Sequence, residues 1–295
     1  MNTIKYDTKL LGIFGHPIKH SFSPLIHNKA LDLLNLDYIY LPFDIGSVNL
    51  HDAIKGVIAL GVRGFNVTIP HKETIMEYLH DFSDEATMIG AVNTVVNDMG
   101  RLIGYNTDVF GINESLVKHK EKFIGEQITV IGSGGAARAV IFCLIRNFRP
   151  SQIVIVNRTE QRANNLKRYF KQKMRFENFK AYELFPPEIT EVLKDSALIV
   201  NATSVGMHPD VDDSPINIRQ AFNKKQVVYD LIYNPIKSKL LLMAESEGAT
   251  VINGLDTLVN QAAKSFKLWT GKEMPINEIK NLLIEELNKT KKAVD

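Results

Sequence analysis

The chain has 295 residues, 35 Lys+Arg against 33 Asp+Glu, 45% hydrophobic residues and one cysteine, which at ~150 residues per domain points to about two domains. Domains of that size need no disulfide or metal staple, and a lone Cys143 excludes a disulfide framework or Cys-rich zinc site and fits a reducing cytoplasm. The first nine residues lack the apolar core of a signal peptide, no apolar run approaches the ~18 residues of a membrane span, and a net charge of +2 argues against nucleic acid as the main partner.

Short β-branched runs alternate with helical patterns, the signal for βαβ units around parallel strands. Residues 10–15 read as the first strand. Ser23-Pro24 then opens a helix, with Ser23 as its cap and proline at the first helical position. A strand over 38–44, a helix over 49–60 and a strand over 64–69, stopped by Pro70, follow. Residues 74–79 read as helical and 91–97 as a strand. A second alternation starts near Gly125: strand 127–131, helix 134–146, strand 152–156 and helix 160–173. Further strands are expected at 197–202, 226–231 and 250–252, and a helix at 237–247 ended by Gly248. Two helices, 255–269 and 277–288, close the pattern, with the residues from Lys289 onward expected to fray. The restart at Gln127 puts the domain boundary in the helix after Asp108.

Charge is uneven along this pattern. Residues 113–180 hold fourteen Lys/Arg and five Asp/Glu, a local +9 that leaves the remainder at −7. A solvated helix face explains much of it, and a positive field for an anionic ligand is the sharper reading.

The strand at 127–131 runs into Gly132-Ser133-Gly134-Gly135-Ala136-Ala137, the G-x-G-x-x-G/A dinucleotide fingerprint between a strand and an apolar helix. Gly132 permits the tight turn, Gly134 lets backbone approach a pyrophosphate, and Ala137 lets the helix pack closely. The next strand ends in Asn157-Arg158-Thr159, with Arg162 a turn later. Cofactors without a 2′-phosphate usually meet an acid there, whereas arginines present planar forks to a phosphate. NADP is preferred over NAD on that ground.

Polar side chains also stand where packing does not ask for them. Ser21 has no capping role; Asn66 and Thr68 share one face of an apolar strand; Asn93-Thr94 interrupts another; Asp108 follows Asn106-Thr107 at a helix start. Lys72 and Asp108 are the candidate acid/base pair, because burial and neighbours can tune such a lysine for proton transfer. No metal-ligand spacing and no G-x-S-x-G elbow occurs.

Seven motifs in order resemble the shikimate/quinate dehydrogenase family: Ser21-Phe-Ser23-Pro, Asn66-Val-Thr68-Ile-Pro-His-Lys72, Gly90-Ala-Val-Asn93-Thr, Asn106-Thr-Asp108, Gly132-Ser-Gly-Gly-Ala136, Asn157-Arg-Thr-x-x-Arg162 and Asn201-Ala-Thr-Ser-Val-Gly-Met207, joined by Gln261 on the penultimate helix. The resemblance implies NADPH-dependent reversible reduction of 3-dehydroshikimate to shikimate, in aromatic amino-acid biosynthesis. It implies two α/β domains, the second a Rossmann-type doubly wound parallel sheet, with the active-site cleft between them. Residues 1–110, completed by 256–295, would bind substrate, and 111–255 would bind NADP. Ser21, Ser23, Asn66, Thr68, Asn93, Tyr233 and Gln261 would hold the substrate, and Lys72 and Asp108 would be catalytic. Gly132, Ser133, Gly134, Gly135, Ala136, Asn157, Arg158, Thr159, Arg162, Thr203, Leu231 and Gly254 would line the cofactor. The enzyme would be a cytoplasmic monomer or homodimer with a small-molecule substrate and no metal. The chain departs from the family pattern at Tyr105, at Val109, where Gly is usual, and at Thr257, where a Met is expected near the nicotinamide. Two alternatives stay open: a quinate/shikimate dehydrogenase using both NAD and NADP, and a non-catalytic NADPH-binding module.

Overall fold

The computed structural model describes residues 4–184 and 188–292. Two compact units divide the chain, one of residues 1–110 with 259–289, the other of 111–258 with 290–295.

The N-terminal stretch forms β1 (Lys9–Gly15), α1 (Ser23–Leu33), β2 (Tyr38–Asp44), α2 (Leu50–Ala59), β3 (Gly64–Val67), β4 (Asp81–Phe82), α3 (Asp84–Ile89), β5 (Thr94–Asp98), β6 (Arg101–Tyr105) and α4 (Asp108–Leu116). The strands make one sheet in the order β2-β1-β3-β5-β6-β4. Pairs β1–β2, β1–β3 and β4–β6 are parallel, whereas β3–β5 and β5–β6 are antiparallel. This sheet is therefore mixed, not parallel throughout. The hairpin β5–β6 escaped the sequence reading because its two-residue loop is Met99-Gly100, both with positive φ (51° and 92°). Such loops match strand twist and normally advertise themselves as Asn-Gly or Asp-Gly. Residues 74–78 form a 3₁₀ turn instead of an α-helix, and β3 ends at Val67, short of the expected Ile69. Phe14 stacks on Phe65 at 4.4 Å in the core beneath, with Val67, Ile75, Val95 and Leu102 packed around them.

The second unit continues with β7 (Gln127–Ile131), α5 (Gly135–Cys143), β8 (Gln152–Asn157), α6 (Glu160–Met174), β9 (Phe179–Glu183), α7 (Ile189–Lys194), β10 (Leu198–Asn201), β11 (Val227–Asp230), α8 (Lys239–Ser246) and β12 (Thr250–Ile252). Its sheet order is β12-β11-β10-β7-β8-β9, with every pair parallel. The chain winds out through β8 and β9, then restarts on the other side of β7 at β10. In such doubly wound sheets, ligands bind beyond the strand C-termini at that reversal. Ile131, Val156, Ile199 and Val228 carry the buried core, as continuous apolar strands covered on both faces require. The short, half-polar edge strand β9 and six-residue α7 gave no periodicity long enough to read. Ser238 caps α8 by accepting from Leu241 N at 3.4 Å, so the helix starts at Lys239; Gly248, at φ +84°, follows its end.

The C-terminal helices are α9 (Leu255–Thr270) and α10 (Ile276–Lys292). The latter runs past Lys289, where fraying was expected, and residues 293–295 lie outside the described residues. Buried Trp269 on α9 donates from Nε1 to Val95 O at 2.9 Å. A Cβ on Gly64 would lie 2.3 Å from that nitrogen, so glycine in β3 is what lets the indole seat on the sheet.

Candidate active site

Lys72, after the Pro70 turn, and Asp108, opening α4, meet: Lys72 Nζ donates to Asp108 Oδ2 at 2.5 Å, with the side chains 16% and 13% exposed. At this depth a charged pair carries a desolvation cost that bonds to its remaining atoms must offset. Asn93 provides one, donating from Nδ2 to Asp108 Oδ1 at 2.8 Å. The Asp108 carboxylate is thus engaged by a lysine and an amide, where the sequence offered a routine helix cap.

Asn93 is 3% exposed and its amide is oriented unambiguously. Thr107 N donates to Asn93 Oδ1 at 2.7 Å, which makes the other end the amine that faces Asp108. Gln261 Oε1 lies 3.3 Å from the same amine, which brings the glutamine of α9 to the pair. Asn66 also belongs to this cluster, with both ends of its amide engaged by protein. Oδ1 accepts from Tyr40 Oη at 2.7 Å, while Nδ2 donates to Asn93 O (3.1 Å), Thr94 Oγ1 (3.1 Å) and Ser265 Oγ (3.2 Å).

The two serines exchange their expected roles. Helix α1 begins at Ser23 itself and has no side-chain cap at the residue before it. Ser23 is 5% exposed, and its backbone N donates to Ser21 Oγ at 3.3 Å. The capping explanation therefore fails for Ser23, and the weak local one belongs to Ser21. Thr68, half-buried just beyond β3, sits so close to Gly15 that a Cβ there would lie 2.3 Å from the Thr68 methyl. Tyr233 belongs to the other unit, and burial pushes its hydroxyl up to about 12.

In the second unit the glycine loop joins β7 to α5. Gly132 takes φ +113°, and a Cβ on it would lie 3.1 Å from Ala202 O, so the turn needs glycine. Gly134 caps α5 without a side-chain bond, and nothing stands within 4 Å of where its Cβ would be. Bare amides at a helix start with open space in front fit a phosphate. At the end of β8, Asn157 Nδ2 donates to Thr159 O at 2.9 Å and shapes the turn that carries Arg158 and Arg162. Both arginines are exposed, and among the described residues neither pairs with a carboxylate. Glu160 sits in the first turn of α6, the dipole-favoured place for an acid. These residues fit a dinucleotide bearing a 2′-phosphate. Thr203, two residues beyond β10, donates from Oγ1 to Asn201 Oδ1 at 2.7 Å. Gly254 approaches Leu231 so closely that a Cβ would lie 2.0 Å from Leu231 O, a packing demand that stands whatever else lies nearby.

Of the buried hydroxyls behind the pair, Thr94 and Thr107 stood out in the sequence as polar interruptions with no assigned role, whereas Tyr40 and Ser265 were missed. Ser265 had a signal: it lies four residues after Gln261, on one face of α9, among the buried apolar residues Ala262, Phe266 and Trp269. Thr257, standing where a Met was expected, bonds Tyr229 Oη and lies 2.8 Å from Ser115 Oγ, so its hydroxyl belongs to a buried cluster in the second unit.

A Rossmann-type fingerprint on one unit and a lysine–carboxylate pair set among amides on the other define a nicotinamide-dependent oxidoreductase. Family models match along the chain: the shikimate dehydrogenase substrate-binding domain over residues 13–95, shikimate/quinate 5-dehydrogenase over 115–234, and the shikimate 5′-dehydrogenase C-terminal domain over 254–284. A shikimate dehydrogenase (NADP(+)) from Caldanaerobacter subterraneus subsp. tengcongensis is 46% identical, covering 91% of this chain and 94% of its own. A crystal structure of shikimate dehydrogenase in complex with NADP+ superposes with a TM-score of 0.87 at 40% identity, over 97% of this chain and 98% of that one. The Listeria monocytogenes shikimate 5-dehydrogenase bound to shikimate and NAD gives 0.84 at 35% identity, over 96% and 99%. The chain belongs to the shikimate dehydrogenase family.

Proposed function

We propose that the chain catalyses the reversible, NADP-dependent interconversion of 3-dehydroshikimate and shikimate. The single observation that carries the reading is the 2.5 Å contact of Lys72 Nζ with Asp108 Oδ2 inside a shell of amides and hydroxyls. Family membership supports the substrate and the relatives named for NADP(+) support the cofactor; they do not favour dual NAD/NADP use on quinate or a non-catalytic module.

Bound NADPH supplies the hydride for the ring ketone. Gly132, Ser133, Gly134, Gly135 and Ala136 would hold its pyrophosphate on the α5 amides, and Asn157, Arg158, Thr159 and Arg162 its 2′-phosphate and ribose; Thr203, Leu231 and Gly254 complete the lining. Ser21, Ser23, Thr68, Asn66, Asn93, Tyr233 and Gln261 bind the carboxylate and hydroxyls of the substrate. Lys72 Nζ delivers the proton to the oxygen as it becomes a hydroxyl. Asp108 keeps the ammonium aimed, and Asn93 keeps Asp108 from turning away. Positioning and general acid catalysis share the work. Burial pushes the Cys143 thiol up to about 12, so it stays protonated and takes no part in the chemistry. Shikimate-dependent reduction of NADP+ by the purified chain tests the reading; no turnover would remove it.

A further inference from the structure

The hydrogen bonds behind Asn93 converge on one atom. Ser265 Oγ, fully buried on α9, lies 2.7 Å from Thr94 Oγ1, 3.0 Å from Thr107 Oγ1 and 3.2 Å from Asn66 Nδ2, and donates to Gln261 O at 3.0 Å. Counting hydrogens gives this cluster a direction. Gln261 O carries no hydrogen, so the Ser265 hydrogen ends there and its oxygen is left to accept. Asn93 Nδ2 donates to Asp108 Oδ1 and to Thr107 Oγ1 at 2.9 Å; Thr107 passes its own hydrogen to Ser265. Thr94, fully buried, accepts from Asn66 and donates to Ser265 or to Asn93 Oδ1 at 3.1 Å. Every hydrogen then has an acceptor, and the chain of donors runs through Ser265 to Gln261 O. Without that oxygen, the Thr94 and Thr107 hydrogens have to crowd onto Asn93 Oδ1 or Gln261 Oε1. The amide they share would move, and the carboxylate it holds would move with it.

We infer that Ser265, acting with Thr94, is a positioning residue: it fixes the Asn93 amide and through it the aim of Asp108 at Lys72. The inference rests on the reading above that this pair transfers the proton. Neither hydroxyl needs to touch substrate to do this, because a misplacement near 1 Å at the reacting groups can cost on the order of a hundredfold in rate.

The test is kinetic, on the full chain, with Ser265→Ala, the near-isosteric Thr94→Val and the double variant. Each single variant is expected to lower kcat for shikimate oxidation by about tenfold, with KM for NADP+ unchanged, since that site lies in the other unit. The double variant is expected to lose no more than either single one, because both act through one amide. Wild-type kcat in either single variant, or losses that multiply in the double, would overturn the positioning role. A merely structural role would lower the amount of folded protein without moving kcat per NADP+-binding site, and that result also overturns it. Thr94→Val alone decides the matter should Ser265→Ala fail to fold. A wild-type chain that does not turn over shikimate would remove the underlying function instead, a separate outcome.

Discussion

Asn93 Nδ2 lies 2.8 Å from Asp108 Oδ1, and this one bond decides which oxygen is left for Lys72. A neutral amide can hold a carboxylate without cancelling the charge that holds the lysine. Asn93→Asp would keep the shape and set a second carboxylate against the first. It is expected to reduce kcat at least about tenfold more than Asn93→Ala does, as repulsion near a buried charge outweighs a lost hydrogen bond. Equal kcat in the two variants would contradict the assigned role of the amide.

Lys72 is assigned the proton transfer. Lys72→Ala is expected to cut turnover by roughly 10²–10⁴ while NADPH binds as before. Titration of NADPH fluorescence separates the two effects, and near-normal turnover would remove Lys72 from the mechanism.

Arg158 and Arg162 leave the end of β8 and the first turn of α6 with their guanidinium groups unpaired among the described residues. Their proposed ligand is the 2′-phosphate, which NAD lacks. Arg158→Ala is expected to raise KM for NADP+ about ten- to a hundredfold, the worth of a charge-assisted bond, and to leave KM for NAD+ within about twofold. A parallel rise for both cofactors would place Arg158 elsewhere.

The two units carry buried acids and bases of opposite sign in their pH dependence. His27, stacked on Tyr40 at 4.4 Å and beside Trp269, is lowered to about 3 by burial, against ~6.5 unfolded. Between those values the unfolded chain binds the extra proton, so this group's support for the first unit is lost as pH falls from ~6.5 towards 3, by at most ~1.4 kcal/mol per pH unit. Asp230 in the second unit is raised to about 6 by burial, against ~3.9 unfolded. There the folded state binds the extra proton, so its contribution to that unit falls as pH rises from ~4 to ~6. Trp269, the single tryptophan, reports the first unit by fluorescence. His27→Phe is expected to flatten the acid-side loss of stability seen by that probe, and Asp230→Asn to leave it unchanged. An identical acid-side loss in the wild type and His27→Phe would contradict the assignment to His27.

Much of this was readable from residue order alone, for physical reasons that differ by region. The second unit announces itself because a parallel sheet covered on both faces needs unbroken apolar strands, and because the turn between β7 and α5 requires Gly132, at φ +113°. The first unit is harder. Its hairpin turns on Met99, a residue that seldom takes positive φ, and its serines traded roles because one residue of helix start decides which hydroxyl is free to cap. Lys72 and Asp108, 36 positions apart, were nominated by type and brought together only by the fold. Ser265 and Tyr40 were invisible, since a buried hydroxyl on an apolar face looks in sequence like any tolerated residue, and Thr94 was visible only as a polar interruption of its strand.

The most direct measurement of the central claim is a comparison of initial rates for shikimate and for quinate, each with NADP+ and with NAD+. The account predicts that shikimate with NADP+ gives the highest kcat/KM of the four pairs, and that Lys72→Ala abolishes most of it. A higher kcat/KM with NAD+, a preference for quinate, or no turnover of any pair would contradict it.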